Sequence, residues 1–257
     1  MEPPIHPLLF ALLLLAGMLI LLEIGRVLAL RAHEEGATIS RFDTIEAAVF
    51  ALFGLMLAFT FSGAASRFQE KRMLITEEAN AIGTAYLRVD LLPAAAQPAM
   101  RERFREYLDS RLETYRLLPD MKAAGPEMAK SKALQDRIWA EAVAATRPPG
   151  GTPDAPLLVL PALNAMIDIT TTRTMALGLH PPRIVYWLLF GLGLLGALIA
   201  GHRLASPRRR HWLHVLGFTI FTVVIVYVML DIEYPRVGLI RLDNVDQVLV
   251  ELRQSMK

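Results

Sequence analysis

Four stretches of the sequence are apolar and long enough to cross a membrane as helices. They run from Leu8 to Leu30, from Ala47 to Ala65, from Ile184 to Gly201 and from Trp212 to Leu230. Each supplies about the twenty residues that a helix needs to span the hydrocarbon core. Because no long run alternates apolar and polar residues, no strand is predicted. The pattern therefore predicts an all-α integral membrane protein with four transmembrane helices.

The second apolar stretch continues without a proline into charged sequence. The helical pattern runs from Asp43 to Leu92 and stops at Pro93. At 1.5 Å per residue these positions would span about 75 Å, whereas the hydrocarbon core is roughly 30 Å thick. The C-terminal half of this helix is therefore expected to lie outside the membrane.

Helical segments separated by Pro and Gly occupy the sequence between the second and third spans. They are predicted at Met100–Leu118, Glu127–Ala145 and about Leu157–Gly178. The predicted organisation has four parts: spans 1 and 2 in residues 1–65, an extramembrane helical domain in 66–183, spans 3 and 4 in 184–230, and a tail in 231–257. The tail places Val245, Val248, Leu249 and Leu252 on one face of an amphipathic helix, and we expect that face to pack on the helical domain.

Composition narrows the class of protein further. Hydrophobic residues make up 54% of the chain, and the mean hydropathy is +0.38, which favours a membrane protein. The net charge of +2 and the absence of basic runs with interleaved aromatic residues argue against a nucleic-acid partner. There is no Cys, which excludes thiolate catalysis and thiolate metal sites. No Walker loop, G-x-S-x-G or H-E-x-x-H pattern is present, so we expect no enzyme activity, catalytic residue, metal site or cofactor.

The sequence FTFSGAASRFQEKR at positions 59–72 resembles the end of the second membrane helix of bestrophins, which follows roughly F-R-x-N-x-x-Y-x-R-[FW]-x-E-x-R. With EEANAIGTAYLR at 77–88 and LDIEYPR at 230–236, the chain is identified as similar to the bacterial bestrophin-like domain family of four-span membrane proteins. That resemblance covers nearly the whole chain. The resemblance to true bestrophin channels rests on the first motif and on the layout of the spans.

The bestrophin resemblance implies a homopentameric ion channel in the bacterial inner membrane, with inorganic ions and the lipid bilayer as its partners. It implies that the second helix lines the pore, with the candidate line Ala51, Leu55, Phe59, Ser62 and Ser66. A ring of apolar side chains in such a line would gate by dewetting. The alternative is that Leu55 and Phe59 face lipid or a neighbouring helix. Bestrophins carry Arg and Asn where this chain has Thr60 and Ser62, which puts anion selectivity in question.

Two groups of charged residues are further candidates. The first is the point where the second helix leaves the membrane, with Arg67, Phe68, Glu70, Lys71 and Arg72. These side chains either surround the mouth of a pore or serve to pair across helix turns and reach lipid phosphate. The second group is the set of carboxylates Glu77, Glu78, Asp231 and Glu233, which either bind a cation through oxygen ligands or pair with nearby arginines.

Two functional hypotheses remain: a homo-oligomeric ion channel, and a non-conducting membrane scaffold or sensor whose helical domain binds a partner. The side of the membrane that holds the helical domain is also open. Arginines in the short loops, Arg31, Arg41, Arg203 and Arg208–Arg210, favour an external domain by the positive-inside rule. The resemblance to bestrophins implies a cytoplasmic one.

Overall fold

The computed structural model describes residues 6–34, 43–147, 153–205, 212–236, 238–240 and 243–256. Every regular element in these ranges is helical. A short 3₁₀ helix, Arg88–Leu91, follows the second α-helix, and the α-helices are α1 Pro7–Glu34, α2 Asp43–Leu87, α3 Gln97–Leu117, α4 Met121–Ala145, α5 Ala155–Leu177, α6 Arg183–Arg203, α7 Trp212–Glu233 and α8 Asp243–Ser255. Arg41, Arg208–Arg210 and the side chain of Val245, which entered the sequence predictions, lie outside the described residues.

The helices form two compact units. The membrane unit comprises the described residues up to Arg67 and those of 180–239, so it contains α1, the first part of α2, α6 and α7. The helical unit comprises 68–179 and the described residues from Ile240, and so contains the rest of α2, α3, α4, α5 and α8. The segment predicted as one tail from Asp231 is divided between the two units.

Helix α2 is continuous over 45 residues, about 68 Å at 1.5 Å per residue, which exceeds the membrane thickness as the sequence predicted. Five described helices, α1, α2, α5, α6 and α7, are long and apolar enough to cross a membrane. The sequence predicted four spans, and α5 is the additional candidate. The all-α membrane fold is confirmed, and the number of spans stays a prediction.

The membrane unit is built on close contact between α1 and α6. A Cβ atom at Gly201 would overlap the carbonyl oxygen of Leu22, and one at Gly25 would overlap that of Leu198. These two glycines let the two backbones approach each other, as small residues do where membrane helices cross. Earlier on α6, Gly193 and Gly196 lie against the rings of Phe53 and Phe50 of α2, respectively.

Replacing Gly201 with alanine is expected to destabilise the membrane unit by about 1–3 kcal/mol, because the new methyl group can be accommodated only by separating α1 from α6. Gly191→Ala is the matched control. Gly191 lies on the same helix, and a Cβ atom there would have no neighbour within 4 Å. Thermal unfolding of the detergent-solubilised variants tests the expectation. Equal midpoints for the two variants would refute the close crossing.

The helical unit has a core made by α2, α3, α4 and α5, closed by α8. Its largest fully buried side chains include Phe104, Tyr107, Ile138 and Met166. Helix α8 packs on α3 and contributes Leu249, which is fully buried in the same cluster.

The predicted start of α4 at Glu127, directly after Gly125 and Pro126, was wrong. The helix begins at Met121, because the Asp120 side chain caps it by accepting hydrogen bonds from the backbone N–H groups of Lys122 and Ala123, at 2.9 and 3.1 Å. Pro126 lies inside the helix, close to its N-terminal turn.

Candidate functional site

The membrane part of α2 has one packed face and one uncovered face. Phe53 and Ala64 are buried in the core of the membrane unit, and Leu57 packs partly against it. The predicted pore line lies on the opposite face, since at 3.6 residues per turn its positions are about half a turn from the buried ones. All five of its residues, Ala51, Leu55, Phe59, Ser62 and Ser66, are exposed within the single chain.

The two large apolar side chains of the line are both well exposed. Phe59 is 70% exposed and Leu55 is 54% exposed. Thr60 belongs to the packed side, where its hydroxyl donates to the backbone carbonyls of Met56 and Leu57, at 2.8 and 3.0 Å. Beyond the apolar residues, the hydroxyl groups on the uncovered face at this end of the membrane unit come from Ser62 and Ser66.

Where α2 leaves the membrane unit, Arg67 forms a two-pronged ion pair with Glu233 at the end of α7. The guanidinium donates through Nε at 3.0 and 3.1 Å and through a terminal nitrogen at 2.7 Å. The same carboxylate lies 2.9 Å from Nδ1 of His180, whose ring stacks on Tyr234 with the centroids 4.5 Å apart. Glu233 is buried, so it is held by two basic groups rather than by water.

The rest of the exit motif belongs to the helical unit. Lys71 is buried, whereas Glu70 and Arg72 are exposed and Phe68 is partly covered. The guanidinium of Arg72 lies 6.0 Å from the centre of the Phe68 ring, which is a contact within one helix turn. Of the four charged residues in this motif, Arg67 is the one that forms the two-pronged pair with Glu233.

Glu78 is the centre of a second, fully buried cluster inside the helical unit. Its carboxylate accepts from Arg111 Nε at 2.8 Å and from the Tyr115 hydroxyl at 2.6 Å, and it forms an ion pair with Arg173. Arg173 also faces Asp246 of α8 at 3.6 Å. The cluster thus joins α2, α3, α5 and α8 through two cations and two anions.

The charges in this cluster set the protonation state of Glu78. Burial alone would raise the pKa of the carboxyl, but the charges of Arg111 and Arg173 and the hydrogen bonds from Tyr115 and Arg111 hold the pKa below its ordinary value of 4.5. Burial also raises the pKa of Tyr115 well above 10.0, so its hydroxyl stays protonated and donates. At neutral pH Glu78 is therefore a carboxylate.

The four predicted carboxylates are divided between the two units. Glu78 pairs with arginines in the helical unit, and Glu233 pairs with Arg67 and His180 in the membrane unit. Glu77 is exposed, and Asp231 accepts from the backbone N–H of Leu239 at 2.9 and 3.1 Å. Among the described residues no group of three or more His, Asp or Glu side chains is placed to hold a metal ion.

Comparison with known proteins identifies the family. The Bestrophin-like domain family matches residues 11–245, most of the chain. The chain belongs to the Bestrophin-like domain family. No curated protein matches it.

Solved structures show the same fold. A bacterial bestrophin homologue from Klebsiella pneumoniae, solved as two point variants, is similar with TM-scores of 0.68 and 0.63 at 14% and 15% identity. These similarities cover 97% and 95% of this chain and 98% of each homologue chain. A third structure, described as a membrane protein, has a TM-score of 0.61 at 16% identity and covers 95% of this chain and 99% of that one. This Bestrophin-like chain therefore has the fold of these membrane proteins along nearly its entire length.

The partners of the buried carboxylates Glu78 and Glu233 in this Bestrophin-like chain were not predicted from the sequence. Arg111 and Arg173 lie 33 and 95 residues from Glu78, and His180 lies 53 residues from Glu233. The sequence did contain an indication that Arg111 pairs with an acidic group. Arg111 falls on the apolar face of α3 between Leu108 and Tyr115, where an unpaired charge would be costly. Nothing in the sequence indicated that His180 pairs with Glu233, since His180 precedes two prolines in a linking segment.

Proposed function

We propose that this Bestrophin-like protein is a homo-oligomeric ion channel of the bacterial cell membrane, with the uncovered face of α2 lining the ion path. The observation that carries the proposal is the exposure of Ala51, Leu55, Phe59, Ser62 and Ser66 on the side of α2 opposite its packed face. An uncovered face of this kind is available to surround an ion path shared by several copies.

The sparse coverage of α2 supports an oligomer. In its most apolar stretch 11% of residues are buried, compared with 33% in each of α1, α6 and α7. A ring of copies would place the α2 helices next to one another around a shared axis and cover their flanks. By resemblance to bestrophins, we propose five copies.

The proposed channel has four spans, α1, α2, α6 and α7, with α5 in the helical unit. Helix α5 contributes Val159, Leu163 and Met166 to the core of that unit, and it carries Arg173 of the buried charge cluster. Because this core covers part of the apolar surface of α5, we propose that the helix does not cross the membrane.

The chemistry of the line favours a path with weak charge selectivity. Leu55 and Phe59 supply an apolar constriction, and the polar groups beyond it are the neutral hydroxyls of Ser62 and Ser66. Arg67, the first cation after the line, has its charge balanced by Glu233. We therefore propose inorganic ions as substrates, with gating by dewetting at the apolar residues.

A single cysteine at Ser62 tests whether the line faces a shared axis. Because the chain has no native Cys, any cross-link reports on the introduced thiol. In membranes treated with a short bifunctional maleimide, Ser62→Cys is expected to give covalently linked pairs in high yield. Phe61→Cys is the matched control, since its position is rotated by about 100° around the helix.

Equal, low cross-linking at both positions would contradict the shared axis. It would favour the alternative in which the line faces lipid and the protein acts as a membrane scaffold or sensor.

A further inference from the structure

The membrane unit contains a cavity where α6 ends and α7 starts, against the second half of α1. Its volume is about 370 Å³, within the range typical of ligand sites. The walls are mainly apolar, formed by Leu19, Leu22, Leu204 and Val215, and it is partly open to the outside of the helix bundle.

The rim of the cavity carries one cation and one anion side by side. Glu23 and Arg26 form an ion pair at 2.6 Å one helix turn apart, and both are partly exposed. Trp212, the first residue of α7, is 53% exposed and completes the lining. The polar pair and the apolar walls therefore give the cavity two chemically distinct halves.

The position of the cavity places it at one surface of the bilayer. Its lining includes Gly201 and Leu204 at the end of α6 and Trp212 at the start of α7, so the cavity lies level with the end of one proposed span and the start of the next. Trp residues are enriched at this depth, and charged side chains there reach lipid headgroups. The molecules that surround such an opening are phospholipids.

We propose that this cavity binds one phospholipid whose headgroup is zwitterionic, carrying a phosphate and a primary ammonium group. The Arg26 guanidinium would donate to the phosphate, and the Glu23 carboxylate would accept from the ammonium. The apolar walls would hold the first part of an acyl chain, with the remainder in the bilayer. A headgroup with negative charge alone would offer the Glu23 carboxylate no cationic partner besides Arg26. This site does not depend on whether the protein conducts ions.

Native mass spectrometry of protein purified from vesicles of equal phosphatidylethanolamine and phosphatidylglycerol tests the site. The wild type is expected to retain about one phosphatidylethanolamine per chain. Arg26→Gln is expected to lower that retention by about tenfold or more, the loss typical of a charge-assisted hydrogen bond. Arg26→Lys keeps the charge that pairs with Glu23 but lacks the planar guanidinium, so its retention should be intermediate.

Leu19→Trp fills the cavity and is expected to expel the lipid. Leu12→Trp is its matched control, because position 12 lies two turns earlier on the same face of α1 and does not line the cavity. Unchanged retention in Arg26→Gln and Leu19→Trp would overturn the site. Preferential retention of phosphatidylglycerol would overturn the zwitterionic assignment.

Discussion

Replacing Glu78 with glutamine is expected to destabilise the helical unit by about 3–5 kcal/mol, because it leaves two buried guanidinium groups with one buried carboxylate fewer. Glu78 is fully buried, and it connects α2 to α3 and α5. The loss should appear as a large drop in the thermal unfolding midpoint of the solubilised protein.

The neighbouring residue supplies the control for this experiment. Glu77→Gln makes the same chemical change one position earlier on α2, where the side chain is exposed. A surface change of this kind is expected to alter the free energy of unfolding by less than about 0.5 kcal/mol. Similar losses in the two variants would show that the cluster around Glu78 does not stabilise the fold.

The same carboxylate makes stability depend on pH in a defined direction. The pKa of Glu78 is lower in the folded protein than its ordinary value of 4.5, so its contribution is fully present above pH 4.5. The contribution is lost as the pH falls through the folded-state pKa. We therefore expect the difference in midpoint between wild type and Glu78→Gln to shrink on acidification below pH 4.5.

Truncating Phe59 is expected to increase ion flux through the proposed pore. Phe59 is the largest side chain of the line and is 70% exposed, so Phe59→Ala removes most of the apolar constriction. Flux should rise about tenfold for each 1.4 kcal/mol by which the barrier falls. Fluorescent ion-flux measurements on purified protein in liposomes give the comparison directly.

Phe61→Ala is the matched control, because it removes the same ring two residues later on the flank of α2. Its flux is expected to remain near the wild-type value. Equal increases in the two variants would place the constriction elsewhere. An absence of flux for every common ion, in all three proteins, would refute the channel and favour the scaffold.

The long α2 helix shows which structural features can be predicted from residues adjacent in sequence. Its start at Asp43 and its continuation past the membrane were predicted because both depend on residues adjacent in sequence: an apolar run, no proline, and Pro93 as a stop. The start of α4 was missed for a related reason. Two local features indicate different starts for this helix: Asp120 can cap it, and Pro126 can open it. The prediction followed Pro126, whereas the helix starts after Asp120 and includes the proline.

The sequence by itself determined the apolar helices, the motif at positions 59–72 and hence the Bestrophin-like assignment, because hydropathy and helix periodicity are properties of consecutive residues. The tertiary structure decided which face of α2 is uncovered and which groups neutralise Glu78 and Glu233. Those outcomes depend on residues up to 166 positions apart, as in the pair of Arg67 and Glu233. A buried charge has to find its partner in the packed fold, and no local pattern specifies which distant helix supplies it.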